Sequence, residues 1–304
     1  MKKALALILT ASLLTGVLTA CGSSEAQTDA AETTTEEAAA EETAAAEETA
    51  DTDAQAETGD LQVITVAATA VPHAEILEAA KPILAEQGYD LQVTVFDDYV
   101  QPNEVVEAGD IDCNYFQHIP YLNSYNEERG THLVSVGEIH YEPIGIYAGT
   151  ESDLSNIPDG ADIAIPNDTT NEARALLILQ DNGIITLKEG AGIDATINDI
   201  AENPHNINFV EMEAAQVSMV LSEVAFAVIN GNYALDAGLN AQTDALASET
   251  SDSLAAQTYV NVVVVKEGNE DNEGVKALVN VLKSDDIKKF IEETYEGAVV
   301  PFEG

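Results

Sequence analysis

The chain of 304 residues has no tryptophan, two cysteines, and only eleven lysines and arginines against 55 aspartates and glutamates. Two cysteines, Cys21 and Cys113, cannot build a disulfide framework or a multi-thiolate metal site, so folding energy must come from packing. The formal net charge of -44 excludes nucleic acid as a partner, because phosphate recognition needs clustered Lys and Arg that this chain does not have. An anionic membrane surface would repel it for the same reason. Catalytic signatures are missing as well: there is no His-Glu-x-x-His helix, no Gly-x-Ser-x-Gly elbow and no phosphate loop ending in Gly-Lys-Ser/Thr. Gly190-Ala191-Gly192-Ile193-Asp194-Ala195 matches the loose dinucleotide fingerprint, but Lys188-Glu189 stand where a strand must run into the first glycine, so an ordinary loop is expected. The five histidines, His73, His118, His132, His140 and His205, are never at helical ligand spacing from one another, and neither a metal site nor a cofactor is expected. With no motif setting a nucleophile beside a base, the chain does not read as an enzyme.

What is present falls into three parts. Residues 1–20 open on Met1-Lys2-Lys3, continue as an apolar run from Ala4 to Leu18, and end at Leu18-Thr19-Ala20-Cys21. The run is an export signal, short for a membrane span, and its end resembles the bacterial lipobox, in which the signal is cut before a diacylated cysteine. Cys21 is thus the expected lipid anchor, held by the two or three acyl chains that stable attachment needs. Residues 22–60 lack aromatics, lysine, arginine and any large aliphatic side chain, and so cannot bury enough surface to offset ordering entropy. They read as an acidic, disordered linker with a root-mean-square reach of roughly 35 Å.

From Leu61 onward, strand-like and helix-like segments alternate. Strands are expected at Leu61–Ala68, Leu91–Phe96, Ile111–Phe116, Leu133–Val136, Ile144–Ala148, Ile163–Pro166, Ile207–Met212, Ala225–Ile229 and Tyr259–Val265. Helices are expected from Pro72 to Gly88, and over Ala173–Gln180, Ala214–Leu221, Val275–Lys283 and Asp285–Tyr295. The fold class is α/β. In open α/β sheets a ligand sits beyond the carboxyl ends of strands, which marks the turn from Ile163–Pro166 into Asn167-Asp168-Thr169-Thr170-Asn171, where free helix N–H groups would face a crevice. Arg174 lies one turn further on. Its planar fork suits a carboxylate, the alternative being a surface ion pair with one of the many acids. Asn230 follows an apolar strand and Asn261 lies within one, so each could present its side-chain carbonyl in a cleft; helix capping is the other reading for Asn230.

Three segments resemble the MetQ/NlpA family of methionine-binding lipoproteins. They are Cys113-Asn114-Tyr115-Phe116-Gln117-His118-Ile119-Pro120-Tyr121-Leu122, the run from Ala164 through Leu177 with its continuation Ile185-Thr186-Leu187-Lys188-Glu189-Gly190, and Tyr259-Val260-Asn261. The similarity spans Leu61 to Gly304, with Cys113 where the family usually has a small residue and with an unusually long linker. The resemblance implies a two-lobed, periplasmic-binding-protein-like (type II) fold with the ligand cleft between lobes, lobe I about 61–141 and 260–304 and lobe II about 142–259. It implies Arg174 on the ligand carboxylate, Asn230 and Asn261 on the amino and carboxylate groups, and Tyr99, Phe116, His118 and Tyr121 around the thioether, where packing alone is the plainer reading of Tyr99 and Phe116. Sulfur against aromatic faces contributes about 0.3–1.5 kcal/mol. His140 and Tyr141 would lie near the lobe crossing. The implied partners are methionine, an ABC transporter permease with its ATPase, and the membrane, reached through the lipid anchor on the extracytoplasmic face. D-methionine, a methionine dipeptide, another apolar amino acid, or a non-transport surface lipoprotein are the alternatives.

Overall fold

The computed structural model describes residues 61–250 and 254–303. The export signal, Cys21 and the acidic linker lie outside the described residues. In chain order the elements are β1 (Gln62–Ala68), α1 (Glu75–Glu86), β2 (Tyr89–Val95), α2 (Gln101–Ala108), β3 (Cys113–His118), α3 (Ile119–Arg129), β4 (Leu133–Tyr141), β5 (Gly145–Ala148), β6 (Asp162–Pro166) and α4 (Thr169–Asp181). There follow β7 (Thr186–Leu187), β8 (Ile200–Glu202), β9 (Asn208–Met212), α5 (Ala214–Val217), β10 (Phe226–Ile229), α6 (Gly231–Asp236) and β11 (Ala245–Ser248). The last are α7 (Leu254–Thr258), β12 (Val260–Lys266), α8 (Glu273–Leu282), α9 (Asp285–Tyr295) and β13 (Val300–Pro301).

Two mixed sheets carry the two lobes. One has six strands in the order β13-β4-β12-β3-β1-β2, and the other five in the order β11-β5-β10-β6-β9. The chain leaves the first sheet after Tyr141, enters the second at Gly145, and returns between Ser248 and Val260. The central strand β12, Val-Asn-Val-Val-Val-Val-Lys, shows why alternation fails as a guide in the middle of such a sheet. Val263 and Val265 pack with Ile64, Val66, Leu77 and Leu278 on one face, whereas Val262 and Val264 pack with Val106, Leu122 and Leu133 on the other. A strand covered on both faces reads as a continuous apolar run, and each such side chain contributes about 1.5–3 kcal/mol by leaving water. In the second lobe Ile163 and Ile165 of β6 meet Leu176 and Leu179 of α4, one helical turn apart on a single stripe.

The α/β pattern and α9, found over Asp285–Tyr295, agree with the sequence reading. Three differences have physical causes. Helices α2 and α3 carry no long apolar stripe, since α3 begins Ile-Pro-Tyr-Leu and continues Asn-Ser-Tyr-Asn-Glu-Glu-Arg, and each ends in a left-handed glycine, Gly109 or Gly130. Strand β4 runs on to Tyr141, five residues past the expected end, held by pairing to β12. The helix expected over Ala214–Leu221 is four residues of α-helix followed by a tighter turn at Ser218–Val220. The Gly190–Ala195 segment is a loop between β7 and β8. Among the described residues no helix is long and apolar enough to cross a membrane. Cys113 is a free, fully buried thiol in the first core, and burial pushes its pKa up, away from reactivity.

Candidate functional site

The carboxyl ends of β3, β6 and β10, and the start of the antiparallel β12, converge on one cavity. In register, Asn261 stands opposite His118 on one side and His140 on the other. The cavity is lined by Tyr99, Phe116, His118, Tyr121, Arg174, Asn230 and Asn261, so one space takes in all seven sequence-predicted positions. Glu142, Asn171 and Asn232 line it too, and sequence reasoning missed them.

One end is aromatic. The Tyr99 ring lies 5.8 Å from Phe116, 5.6 Å from Tyr121 and 4.9 Å from Tyr233, all tilted or edge-on. The Tyr99 hydroxyl ties this sleeve to the segment after β10, donating to Asn232 Oδ1 at 2.5 Å, and Tyr121 donates to the Tyr99 carbonyl at 3.1 Å.

The other end is polar, and its proton positions follow from one fixed point. Asp168 caps α4, accepting from the Asn171 backbone N–H at 3.0 Å, so the helix N-terminus is already occupied by the chain's own carboxylate and is not an open anion site. Asn171 Nδ2 also donates to Asp168, at 2.9 and 3.0 Å, and a carboxylate only accepts. Asn171 Oδ1 must therefore be the atom that receives His118 Nε2 at 3.1 Å and Asn230 Nδ2 at 2.7 Å. His118 is consequently the Nε2–H tautomer, its Nδ1 accepting from the Tyr121 N–H at 3.1 Å. Burial, then the nearby Arg174, lowers its pKa to about 3, which keeps it neutral. Asn230 precedes α6 but its side chain makes no cap bond; its Oδ1 is buried without a hydrogen-bond partner among the described residues. The capping reading of Asn230 is thereby set aside.

Arg174 is 3% exposed, which removes the alternative of a surface ion pair. It is nonetheless paired: Nε donates to Glu249 at 2.9 Å, Nη2 to Glu249 at 2.5 Å and to the Glu142 carbonyl at 2.8 Å, and the guanidinium lies 4.3 Å over the Tyr259 ring. Burial opposes the charge on Glu249, but Arg174 overrides it and holds the carboxyl below the usual carboxylate range. Nη1 makes no hydrogen bond among the described residues. Asn261 Oδ1 meets His73 Nε2 at 3.1 Å, and its Nδ2 is likewise without a bond.

Behind Asn261, His73, His140 and Glu142 form a buried group whose ligand atoms lie within 4.8 Å of one another, the one group among the described residues with the makings of a metal site. His140 and Glu142 stand two residues apart at the end of β4, but His73 comes from the turn before α1, so sequence spacing did not show the group. His140 Nε2 lies 2.7 Å from Glu142 Oε1 and His73 Nε2 3.4 Å from it, while Tyr115 OH meets His140 Nδ1 and Thr69 Oγ1 meets His73 Nδ1 at 2.8 Å. Glu142 as a carboxylate and Asn261 Oδ1 accept at these atoms, so each Nε2 carries the ring proton here.

The family model described as NlpA lipoprotein matches residues 64–303. This chain belongs to the NlpA lipoprotein family. Among NlpA relatives it is 42% identical over 250 residues to the methionine-binding lipoprotein MetQ of Bacillus subtilis (strain 168), covering 81% of this chain and 90% of that one. A crystal structure from Ruminococcus gnavus ATCC 29149 is 67% identical, covers 80% of this chain and 100% of its own, and superposes with a TM-score of 0.79. A nutrient-binding protein from Burkholderia cenocepacia, solved bound to methionine, is 42% identical with a TM-score of 0.75 over 78% of this chain and 99% of its own. Both solved structures share the α/β fold of this chain.

Proposed function

We propose that this chain is an extracytoplasmic solute receptor, tethered through a lipid on Cys21, that captures methionine and delivers it to an ABC transporter permease driven by a separate ATPase. The observation that carries the reading is the two-ended cavity. A zwitterion fits the polar end, with its carboxylate toward Arg174 Nη1 and Asn261 Nδ2 and its ammonium toward the unpartnered Asn230 Oδ1. A thioether fits the sleeve of Tyr99, Phe116 and Tyr121. The Bacillus relative's name and the methionine in the Burkholderia structure support the same ligand. In this reading lobe I comprises about residues 61–141 and 260–304 and lobe II about 142–259, the lobes close over the solute, and the chain performs no chemistry on it.

Native mass spectrometry of protein purified without added ligand tests the proposal. A co-purifying mass equal to methionine is expected. A different bound solute, or an empty protein that gains no mass in millimolar methionine, would set it aside.

A further inference from the structure

The aromatic end of the cavity is backed by a pair of tyrosines that come from different sheets. Tyr99 stands in the segment after β2 of the six-stranded sheet, and Tyr233 in α6, which follows β10 of the five-stranded sheet. Their rings lie 4.9 Å apart and 33° from parallel, and each hydroxyl reaches the other's segment. Tyr99 donates to Asn232 Oδ1 at 2.5 Å, and Tyr233 donates to the Asp97 carbonyl at 3.0 Å. The two bonds run in opposite directions between the same two segments, so the segments separate only when both break.

Each segment is seated on its own side. Asp98 accepts from the Val100 and Gln101 backbone N–H groups at 2.7 and 2.8 Å, which fixes the turn into α2, and the Phe96 N–H donates to the Ala68 carbonyl at 2.8 Å. On the other side Tyr233 belongs to the buried cluster of Ala164, Ala227 and Ile229 from β6 and β10. Burial raises the pKa of both tyrosines, so each hydroxyl remains a protonated donor near neutrality.

Tyr99 lines the cavity and also a groove outside it, together with the exposed Gln101 and Glu213. Tyr233 is not on the cavity wall; it lines that groove and a second one, where Val71 and Asp97 face Ser218 and the 77% exposed Met219. Each groove has one wall from the segments after β1 or β2 and the other from α5 and α6. The tyrosine pair is thus the partition between the thioether sleeve and two grooves open to solvent.

We propose that Tyr99 and Tyr233 form a reciprocal clasp that holds the receptor closed at its aromatic end and sets the rate at which bound solute leaves. This rests on the reading above, in which two lobes close over methionine, and adds the contact that keeps them closed. Tyr233 is a positioning residue, since it acts on the solute only through Tyr99. Both bonds exist in the closed form and are lost as it opens, so removing one speeds opening and leaves encounter with the open form untouched.

The test follows release of radiolabelled methionine from the full chain during a chase with excess unlabelled methionine, together with the association rate. Tyr233→Phe keeps the ring and its packing and removes one bond. Its release is expected to quicken about threefold to tenfold, the weight of one hydrogen bond, with association within about twofold of the parent. Tyr99→Phe should quicken release to a similar degree, and the double variant should release faster than either. A Tyr233→Phe protein that melts lower but releases methionine at the parental rate marks a purely structural tyrosine and overturns the clasp, with the methionine reading left in place. Association that slows as much as release quickens overturns it equally. A parent protein that retains no label overturns the methionine reading and the clasp with it.

Discussion

At the scale of single residues the account turns on Arg174. Its removal takes away the cation expected to face the solute carboxylate and also strands Glu249, 10% exposed in its side chain. Breaking a buried pair from one side costs about 3–5 kcal/mol, so Arg174→Ala should lower both methionine affinity, by about a hundredfold to several thousandfold, and folding stability. Arg174→Lys should recover part of each, because an ammonium cannot reproduce the fork that grips Glu249 through Nε and Nη2 together. Calorimetry and denaturant unfolding measure the two effects separately; unchanged affinity in a folded Arg174→Ala would place the carboxylate elsewhere. Arg174 was legible in the sequence because a strand, a run of polar capping residues and the arginine follow each other locally. Glu249, 75 residues away, was not: with 55 acids in the chain nothing in the pattern singles one out. Asn171 and Glu142 escaped for a related reason, since their roles exist only where β6, β10 and the first crossing meet.

At the scale of elements, most strands could be read because buried aliphatic runs between turn residues have few other uses. The missed helices α2 and α3 owe their form to tertiary packing and glycine stops more than to a stripe of their own. The crossings show the same dependence on distant residues. Glu249, just after β11, accepts from Tyr141 Oη at 2.6 Å and from the Ile144 N–H at 3.1 Å, and so stitches the return crossing to the outward one while it holds Arg174. Glu249→Gln should therefore lower stability by about 3 kcal/mol, leaving a buried guanidinium without its charge partner. Methionine affinity should not fall with it, because the freed fork remains available to the solute carboxylate. Urea unfolding alongside calorimetry reads the split, and a loss of affinity as large as that of Arg174→Ala would show that Glu249 itself is part of the binding surface.

At the scale of the whole molecule, three buried neutral histidines give the fold a pH signature. His73, His118 and His140 have folded pKa values of about 4, 3 and 3 against an ordinary value of 6.5, with burial the largest cause in each. Above that ordinary value both states are neutral and stability is complete. As pH falls below it the unfolded chain binds protons that the folded chain refuses, at up to about 1.4 kcal/mol per pH unit for each histidine. Glu142, Asp168 and Glu172 work in the opposite sense, since their raised carboxyls take up protons in the folded state first, whereas the lowered Glu249 and Asp98 add to the histidines' effect. Melting temperature of ligand-free protein should thus be level above about pH 7 and decline steadily from about pH 6.5 toward 4.5. A level profile down to about pH 5 would mean that these rings are charged in the fold, contrary to the tautomers assigned above.

The central claim is that this cavity holds methionine, and titrating methionine into refolded, ligand-free protein during a thermal melt tests it most directly. A ligand bound only by the folded form adds about 2.7 kcal/mol of stability at a hundredfold excess over its dissociation constant. The account predicts a melting temperature that climbs with methionine concentration and a climb that Arg174→Ala largely abolishes; no shift in the parent protein at millimolar methionine would contradict it.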